Sequence, residues 1–162
     1  MSFEHIFVQP ARNSTESEIE YKFIVEFSLH CFTRGLDKRH GETLAGVDVS
    51  LHYSDSRETR IFDFQRHELS EKLPDIAKSI NKQACFHTGK GNFFTFELLD
   101  ADDKVQHYEV YFRVSRARKK GWLRLFVESA YIQDKPKKKP QRIHFFVIAN
   151  NTLKNKPIKT LK

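Results

Sequence analysis

The sequence contains few of the residues that mark disulfide-stapled, collagen-like or membrane-spanning proteins. Of its 162 residues, 2 are cysteine, 6 glycine, 5 proline and 1 tryptophan. No apolar run approaches the roughly 20 residues that cross a bilayer, and the first ten residues lack the apolar segment of a secretion signal. Two cysteines among apolar neighbours do not make a disulfide framework. We therefore expect a cytoplasmic protein with free, buried thiols and no membrane association.

Phenylalanine, by contrast, is abundant. The chain has 15 Phe and is 39% hydrophobic, which is too apolar for a disordered protein. Its length suits one domain with one core. We predict a single domain over residues 1–162, with flexible ends at 1–18 and 154–162.

The net charge of +7 is placed unevenly along the chain. Residues 113–162 hold 15 Lys or Arg and two acids, whereas residues 1–112 hold more acids than bases. A domain polarised in this way attracts anions to one side, and polyphosphate chains bind cations with release of counterions. The pattern predicts contact with nucleic acid. An acidic protein partner, or a solvated basic tail that only aids solubility, would give the same pattern.

Alternation of apolar and polar residues predicts seven strands. They are 20–32, 46–53, 58–64, 91–99, 105–115, 122–133 and 142–150. Apolar residues at spacings of three and four predict a helix over 72–81. These elements indicate an α+β fold, a twisted, mainly antiparallel sheet of about seven strands with one main helix packed on it. A two-sheet arrangement is also possible with this many strands.

Metal and cofactor motifs are absent. The eight histidines form no metal-ligand spacing, and no phosphate loop of the nucleotide-binding type occurs. We expect no metal and no cofactor, and we interpret Asp100, Asp102 and Asp103 as a hairpin turn. The segment after His87 contains Gly-Lys-Gly, which is either a tight turn or a turn that aims backbone N–H groups and Lys90 at a phosphate.

His30 and Arg34 are the first candidate catalytic residues. The predicted strand places His30 on its polar face and Cys31 towards the core. RNA cleavage needs groups that take and give protons, a role that His fills at neutral pH, and a cation beside the phosphorus. A surface histidine next to a solvated arginine would look the same.

A basic hairpin between the strands 105–115 and 122–133 is the strongest binding candidate. Trp122 there either stacks on a base or packs beneath a helix or another sheet layer. Tyr131 either donates to a phosphate or belongs to the core. The predicted nucleic-acid contacts are Lys90, Arg113, Arg116, Arg118, Lys119, Lys120, Trp122, Arg124, Lys137, Lys138 and Lys139.

The succession 108–116, 121–131 and 142–153 resembles the C-terminal meander of the barnase, EndoU, colicin and RelE-like ribonuclease superfamily, which includes many toxins. The resemblance covers the last third of the chain. The start of the chain differs, because it has predicted strands where that superfamily has helices. The resemblance implies catalytic residues on the concave side of an antiparallel sheet. Those expected near a scissile phosphate are His30, Arg34, Arg113, Arg116 and Tyr131, followed by His87 and Lys90.

Three hypotheses follow from these features. The preferred one is a metal-independent endoribonuclease of the toxin type, with RNA rather than DNA as its partner. The second is a nucleic-acid-binding regulator or mobile-element accessory protein without catalysis. The third is an interaction module that docks an acidic protein. Free strand edges also permit homodimerisation.

Overall fold

Strands dominate the fold. The computed structural model describes residues 2–101, 104–133 and 141–159. The strands are β1 (Ser2–Gln9), β2 (Ile19–Phe27), β3 (Thr33–Arg34), β4 (His52–Ser54), β5 (Thr59–Phe62), β6 (Cys85–His87), β7 (Phe93–Ala101), β8 (Lys104–Arg116), β9 (Trp122–Gln133) and β10 (Arg142–Ile143). The α-helices are α1 (Phe64–Ser70), α2 (Leu73–Lys78) and α3 (Phe145–Leu153). No helix in these ranges is long and apolar enough to cross a membrane.

The strands are divided between two sheets. Seven of them form the main sheet in the order β1-β2-β9-β8-β7-β6-β10, and the other three form a small sheet in the order β3-β5-β4. Of the strand pairs, β2 and β9 run parallel and the others antiparallel. The α+β class and the mainly antiparallel pairing are thus confirmed, but the strands do not make one seven-stranded sheet with the predicted membership.

The core lies on one face of the main sheet. Leu123, Leu125 and Val127 alternate along β9 and are fully buried, as their period of two predicts. Helix α3 lies over this face, where Phe145 packs on Phe7 with ring centroids 4.8 Å apart. We call this the helix face and the opposite one the open face.

Helix α3 replaces most of the strand predicted over 142–150. After the two residues of β10, Phe145, Ile148 and Ala149 are buried at helical spacing in the main core. The Phe-Phe-Val-Ile run favours a strand locally, but here the need to cover the sheet decides the conformation. The prediction of a strand was wrong.

The predicted helix over 72–81 is shorter and divided. Helix α2 ends at Lys78, a 3-10 turn follows at Ile80–Lys82, and α1 precedes it as a separate helix. Pro74 lies in the first turn of α2, where its missing N–H costs nothing. The predicted helix is therefore confirmed over Leu73–Lys78, and α3 is a further and longer helix on the sheet.

The N-terminal end is a strand where we expected flexibility. β1 pairs with β2 along its whole length, and Phe7 is 2% exposed. The alternation of Phe3, His5 and Phe7 towards the helix face is the signal that the prediction missed. At the other end, Ile158 packs against the core, so the tail is anchored as far as the description reaches.

Two predicted strands are interrupted by 3-10 turns. The strand over 20–32 ends at Phe27, because the Ser28 side chain accepts the His30 N–H and caps a 3-10 turn at Leu29–Cys31. In the segment 46–53, 3-10 turns leave only β4 as a strand. Short polar side chains such as Ser28 compete for backbone groups in this way.

Candidate nucleic-acid interface

A cavity of about 740 Å³ opens at one end of the main sheet, on the helix face. Its walls come from the turn between β6 and β7, the end of β8 and the segment after α3. Residues from these three walls include His87, Gly89, Gly91, Arg116, Asn155 and Lys156. We call it the end cavity.

The turn between β6 and β7 forms one wall and holds Lys90 at its tip. Gly89 and Gly91 have φ of +76° and +73°, a region that glycine adopts without a steric penalty. Thr88 Oγ1 accepts the Lys90 N–H at 3.2 Å and donates to the Asn92 carbonyl at 2.9 Å. That N–H is therefore used within the turn, and the exposed Lys90 ammonium is what the turn offers to a ligand.

The segment after α3 forms the opposite wall because the helix ends in a left-handed residue. Asn155 has φ of +53°, and the N–H of Lys156 returns to the Asn151 carbonyl at 2.7 Å. This closure resembles a helix C-cap. It brings Lys156 to the cavity, a cation that sequence reasoning missed because it assigned the residue to a flexible tail.

His87 and Arg116, both candidate residues from the sequence, line the end cavity. His87 is 7% exposed and packs on Phe93 with ring centroids 5.2 Å apart. Burial lowers its pKa from the ordinary value of 6.5, because desolvation disfavours the imidazolium. At neutral pH the cavity wall thus carries a neutral imidazole and two cations, Arg116 and Lys156, and this positive charge favours an anion.

Three of the predicted contact cations are paired with carboxylates on the open face. Arg113 pairs with Glu128, Arg124 with Glu26, and Lys119 with Glu4 at 3.2 Å. The acids at positions 4 and 26 come from β1 and β2, far away in sequence. The positive charge of these three side chains is therefore balanced locally on the open face.

Of the other predicted cations that the structure describes, one lines the end cavity and three lie in chain segments next to its walls. Arg116 is at its wall, Arg118 and Lys120 follow in the hairpin turn, and Lys90 stands on the facing turn. Within the described part of the chain, these four and Lys156 form no ion pair. We call this set the free cations: Lys90, Arg116, Arg118, Lys120 and Lys156.

Trp122 lies on the open face, half-buried, so it does not pack beneath the covering helix. Its neighbour Leu123 faces the core, and the Lys119 ammonium lies 3.7 Å from the Trp122 ring centroid. This cation–π contact occupies one face of the Trp122 ring. A base could stack on that face of the ring only after Lys119 moves.

His30 and Arg34 lie at a different place. The sheet row that contains His87 passes through Phe93, Phe112 and Val127 to Phe27, four strand spacings or roughly 19 Å. His30 follows Phe27 on the 3-10 turn, and its Nε2 is 2.7 Å from Glu58 Oε1. The structure therefore does not bring the two histidines to one phosphate.

Arg34 is held by Glu42 through two hydrogen bonds, of 2.6 and 2.8 Å. Glu42 also accepts the Asp37 N–H at 2.7 Å. The guanidinium and this N–H hold the pKa of Glu42 at about 2, from an ordinary value of 4.5. The pair closes the loop between 35 and 42. It also neutralises the Arg34 guanidinium, which the catalytic hypothesis placed beside the phosphorus.

We expect this pairing to be visible in a carboxylate titration followed by NMR. In the wild type Glu42 should stay ionised until the pH approaches 2, and in Arg34→Gln its pKa should return towards 4.5. Because the folded-state pKa is depressed, the stabilisation is present above pH 4.5 and is lost as the pH falls towards 2. A Glu42 midpoint that Arg34→Gln leaves unchanged would contradict this assignment.

Tyr131 belongs to a cluster of aromatic and charged side chains away from the end cavity. Its ring stacks on Tyr111 at 5.5 Å, and the Arg66 guanidinium lies 5.2 Å from its centroid. Tyr111 donates to Glu109 at 2.5 Å, and Glu109 is 1% exposed. Arg66 in turn donates to the backbone carbonyls of His30 and Thr33. Sequence reasoning missed Glu109, because alternation alone shows its face and not its burial.

The remaining predictions concern the Cys31 thiol, metal ligands and the lysines at positions 137–139. Cys31 is 1% exposed, and burial raises its pKa to about 12, so it is not poised as a nucleophile. No group of three metal-ligating side chains occurs among the described residues. Asp102 and Asp103, and likewise Lys137, Lys138 and Lys139, lie outside those residues.

Comparison with known proteins gives a family. Residues 1–153 match the YjaZ family. The chain is 36% identical over 157 residues to Protein YjaZ of Escherichia coli (strain K12), which covers 95% of this chain and 83% of that protein. No solved structure matches the chain.

Proposed function

The chain belongs to the YjaZ family, and we propose that it is a nucleic-acid-binding protein that engages phosphates at the end cavity. The observation that carries this proposal is that two of the free cations, Arg116 and Lys156, line one cavity and the other three lie in the turns next to its walls. By contrast, Arg113, Lys119 and Arg124 are paired with acids. Cations without a carboxylate partner are the ones that release counterions when a phosphate binds.

RNA in single-stranded form is the proposed partner. A cavity of about 740 Å³ falls in the size range of small-ligand pockets, so it can admit an unstacked nucleotide. Single-stranded RNA presents unstacked nucleotides, whereas a duplex does not. The hairpin cations Arg118 and Lys120 would then hold the flanking phosphates.

Cleavage is not part of this proposal. A general acid and a general base must both lie within hydrogen-bond reach of one scissile phosphodiester. His87 and the turn that carries His30 are separated by roughly 19 Å across the sheet, and Arg34 is held by Glu42. The geometry thus favours the non-catalytic alternative over a toxin-type ribonuclease.

The test is a titration of the His87 ring followed by NMR, with and without a short single-stranded RNA. A phosphate in the end cavity should favour the imidazolium and raise the pKa of His87 from its lowered value. RNA affinity should accordingly increase as the pH falls from 7 to 5.5. An unchanged His87 pKa at saturating RNA would contradict the proposal.

Two controls make the titration specific. The ring signals of His40, whose side chain is 82% exposed beside Asp37, should not change when RNA is added. Polyglutamate of similar charge should leave His87 unchanged, since a carboxylate chain does not supply the phosphate. If polyglutamate raises the pKa of His87 and RNA does not, the partner is an acidic protein and our proposal is wrong.

A further inference from the structure

A second cavity, of about 480 Å³, lies between the small sheet and the connection from α1 to α2. Four aromatic rings line it, and we call it the aromatic cavity: Phe27, Phe32, Tyr53 and Phe62. Phe27 is four strand spacings from His87 along the main sheet, roughly 19 Å. The aromatic cavity is therefore separate from the end cavity, and the proposed function does not use it.

The aromatic cavity reaches from the surface into the core. Cys31 and Leu73 line it and are each 1% exposed, within a buried cluster, whereas Tyr53 on the same lining is 42% exposed. Its volume falls in the size range of small-ligand pockets. The apolar body of a small ligand could therefore leave water by entering this cavity.

The rings of the lining hold one another in place. Phe32 and Tyr53 meet edge to face with ring centroids 5.4 Å apart, and Tyr53 and Phe62 lie 5.5 Å apart. At the rim, His67 packs on Phe62 at 5.0 Å. Such contacts fix the ring orientations, and the face of an aromatic ring attracts a cation.

These rings lack the cations that accompany aromatic side chains elsewhere in the protein. On the open face, Lys119 lies over Trp122 at 3.7 Å and the Arg124 guanidinium lies over Phe126 at 4.5 Å. Among the described residues, no Lys or Arg lines the aromatic cavity or lies over its four rings. The chain itself therefore leaves this attraction unused.

Glu71 gives the rim of the cavity a negative charge. It is exposed, lines the cavity and is the one carboxylate among the described lining residues. Within the described part of the chain it forms no ion pair. The site thus combines aromatic walls with an unpaired carboxylate.

We propose that the aromatic cavity binds a small organic cation of the alkylammonium class. Its apolar groups contact the rings, and its charge faces Glu71. The apolar lining alone would suit a neutral molecule equally well. The rings without a cation and the carboxylate without a partner together select a positively charged one. This inference does not depend on nucleic-acid binding.

A pair of ligands of equal shape tests the role of charge. Choline carries a quaternary ammonium group, and 3,3-dimethyl-1-butanol has a neutral carbon in the same place. We expect choline to shift the Tyr53 and Phe62 ring signals saturably in NMR. Its affinity should exceed that of the alcohol by about tenfold, from the cation–π and ion-pair contributions. Equal affinities would indicate a purely apolar site, such as one for a partner's side chain, and would overturn the proposal. Saturable binding of neither ligand would overturn it as well.

Glu71→Gln tests the carboxylate, and Glu68→Gln is its matched control. Both residues are exposed, but Glu68 does not line the cavity. Glu71→Gln should weaken choline about threefold, as expected for an exposed ion pair, and should leave the affinity for the alcohol unchanged. Glu68→Gln should change neither affinity. Equal effects of the two variants on choline would contradict the assignment of Glu71.

Tyr53→Leu tests the rings, since it keeps an apolar side chain but removes the aromatic face. Tyr53 is 42% exposed, so the fold should persist, and a circular dichroism spectrum checks this. We expect choline to lose most of its advantage over the alcohol, because the cation–π contribution is reduced. An unchanged preference for choline in Tyr53→Leu would overturn the proposal.

Discussion

Replacing Arg116, Arg118 and Lys120 together with serine is expected to reduce affinity for single-stranded RNA by about 100-fold at roughly 0.1 M salt. The estimate comes from the loss of three phosphate contacts at about 0.7 released counterions each. All three belong to the free cations, and none forms an ion pair within the described residues. Fluorescence anisotropy of a labelled oligonucleotide measures the change.

The matched control removes the same charge from another part of the surface. Lys38, Lys72 and Lys82 are exposed and lie away from the walls of the end cavity. Their triple serine variant should lose only the small, long-range part of the attraction. Equal losses in the two triple variants would mean that net charge, and not the end cavity, governs binding.

Phe145→Ala is expected to lower the free energy of unfolding by about 3 to 5 kcal/mol, the usual cost of removing a large aromatic side chain from a core. Phe145 is 2% exposed, and its ring lies 4.8 Å from Phe7 and 5.5 Å from Phe23. It thereby joins α3 to the two strands at the free edge of the sheet. Urea unfolding followed by circular dichroism measures the loss as a lower midpoint.

Val147→Ala is the control for that variant, since it lies two residues further along the same helix and is 43% exposed. A surface substitution of this kind should change stability by about 0.5 kcal/mol or less. If the segment were a strand, as its sequence predicts, positions 145 and 147 would share one face and lose similar amounts. Similar losses would therefore contradict the assignment of α3.

The hairpin strands were predictable because a single pattern determines them. β8 and β9 alternate except at a bulge beside Tyr111 and Phe112, after which Ala130 and not Ser129 is buried. The bounds expected for β9, residues 122–133, agree with the structure. Alternation gives the strand and its buried face together. The ribonuclease resemblance rested on three successive strands, of which the third is mostly helix α3. The ribonuclease activity itself stays a prediction.

The charge pattern was harder to interpret, because a count along the chain does not show which acids lie opposite which bases. Parallel pairing of β2 with β9 brings Glu26 to Arg124, 98 residues away in sequence. No local signal predicts such a pairing. The resemblance implied that His87 and Arg116 lie near one phosphate; both line the end cavity, and their role there stays a prediction. Lys156 was not predicted, because no local signal indicates that the left-handed Asn155 turns the chain back.

The salt dependence of RNA binding by the wild-type chain tests the central claim most directly. With the five free cations each neutralising one phosphate, the logarithm of the binding constant should fall linearly with the logarithm of the salt concentration. The expected slope is about −3.5, from roughly −0.7 per contact with a single strand. Binding that is absent at low salt, or that salt does not weaken, would contradict the claim.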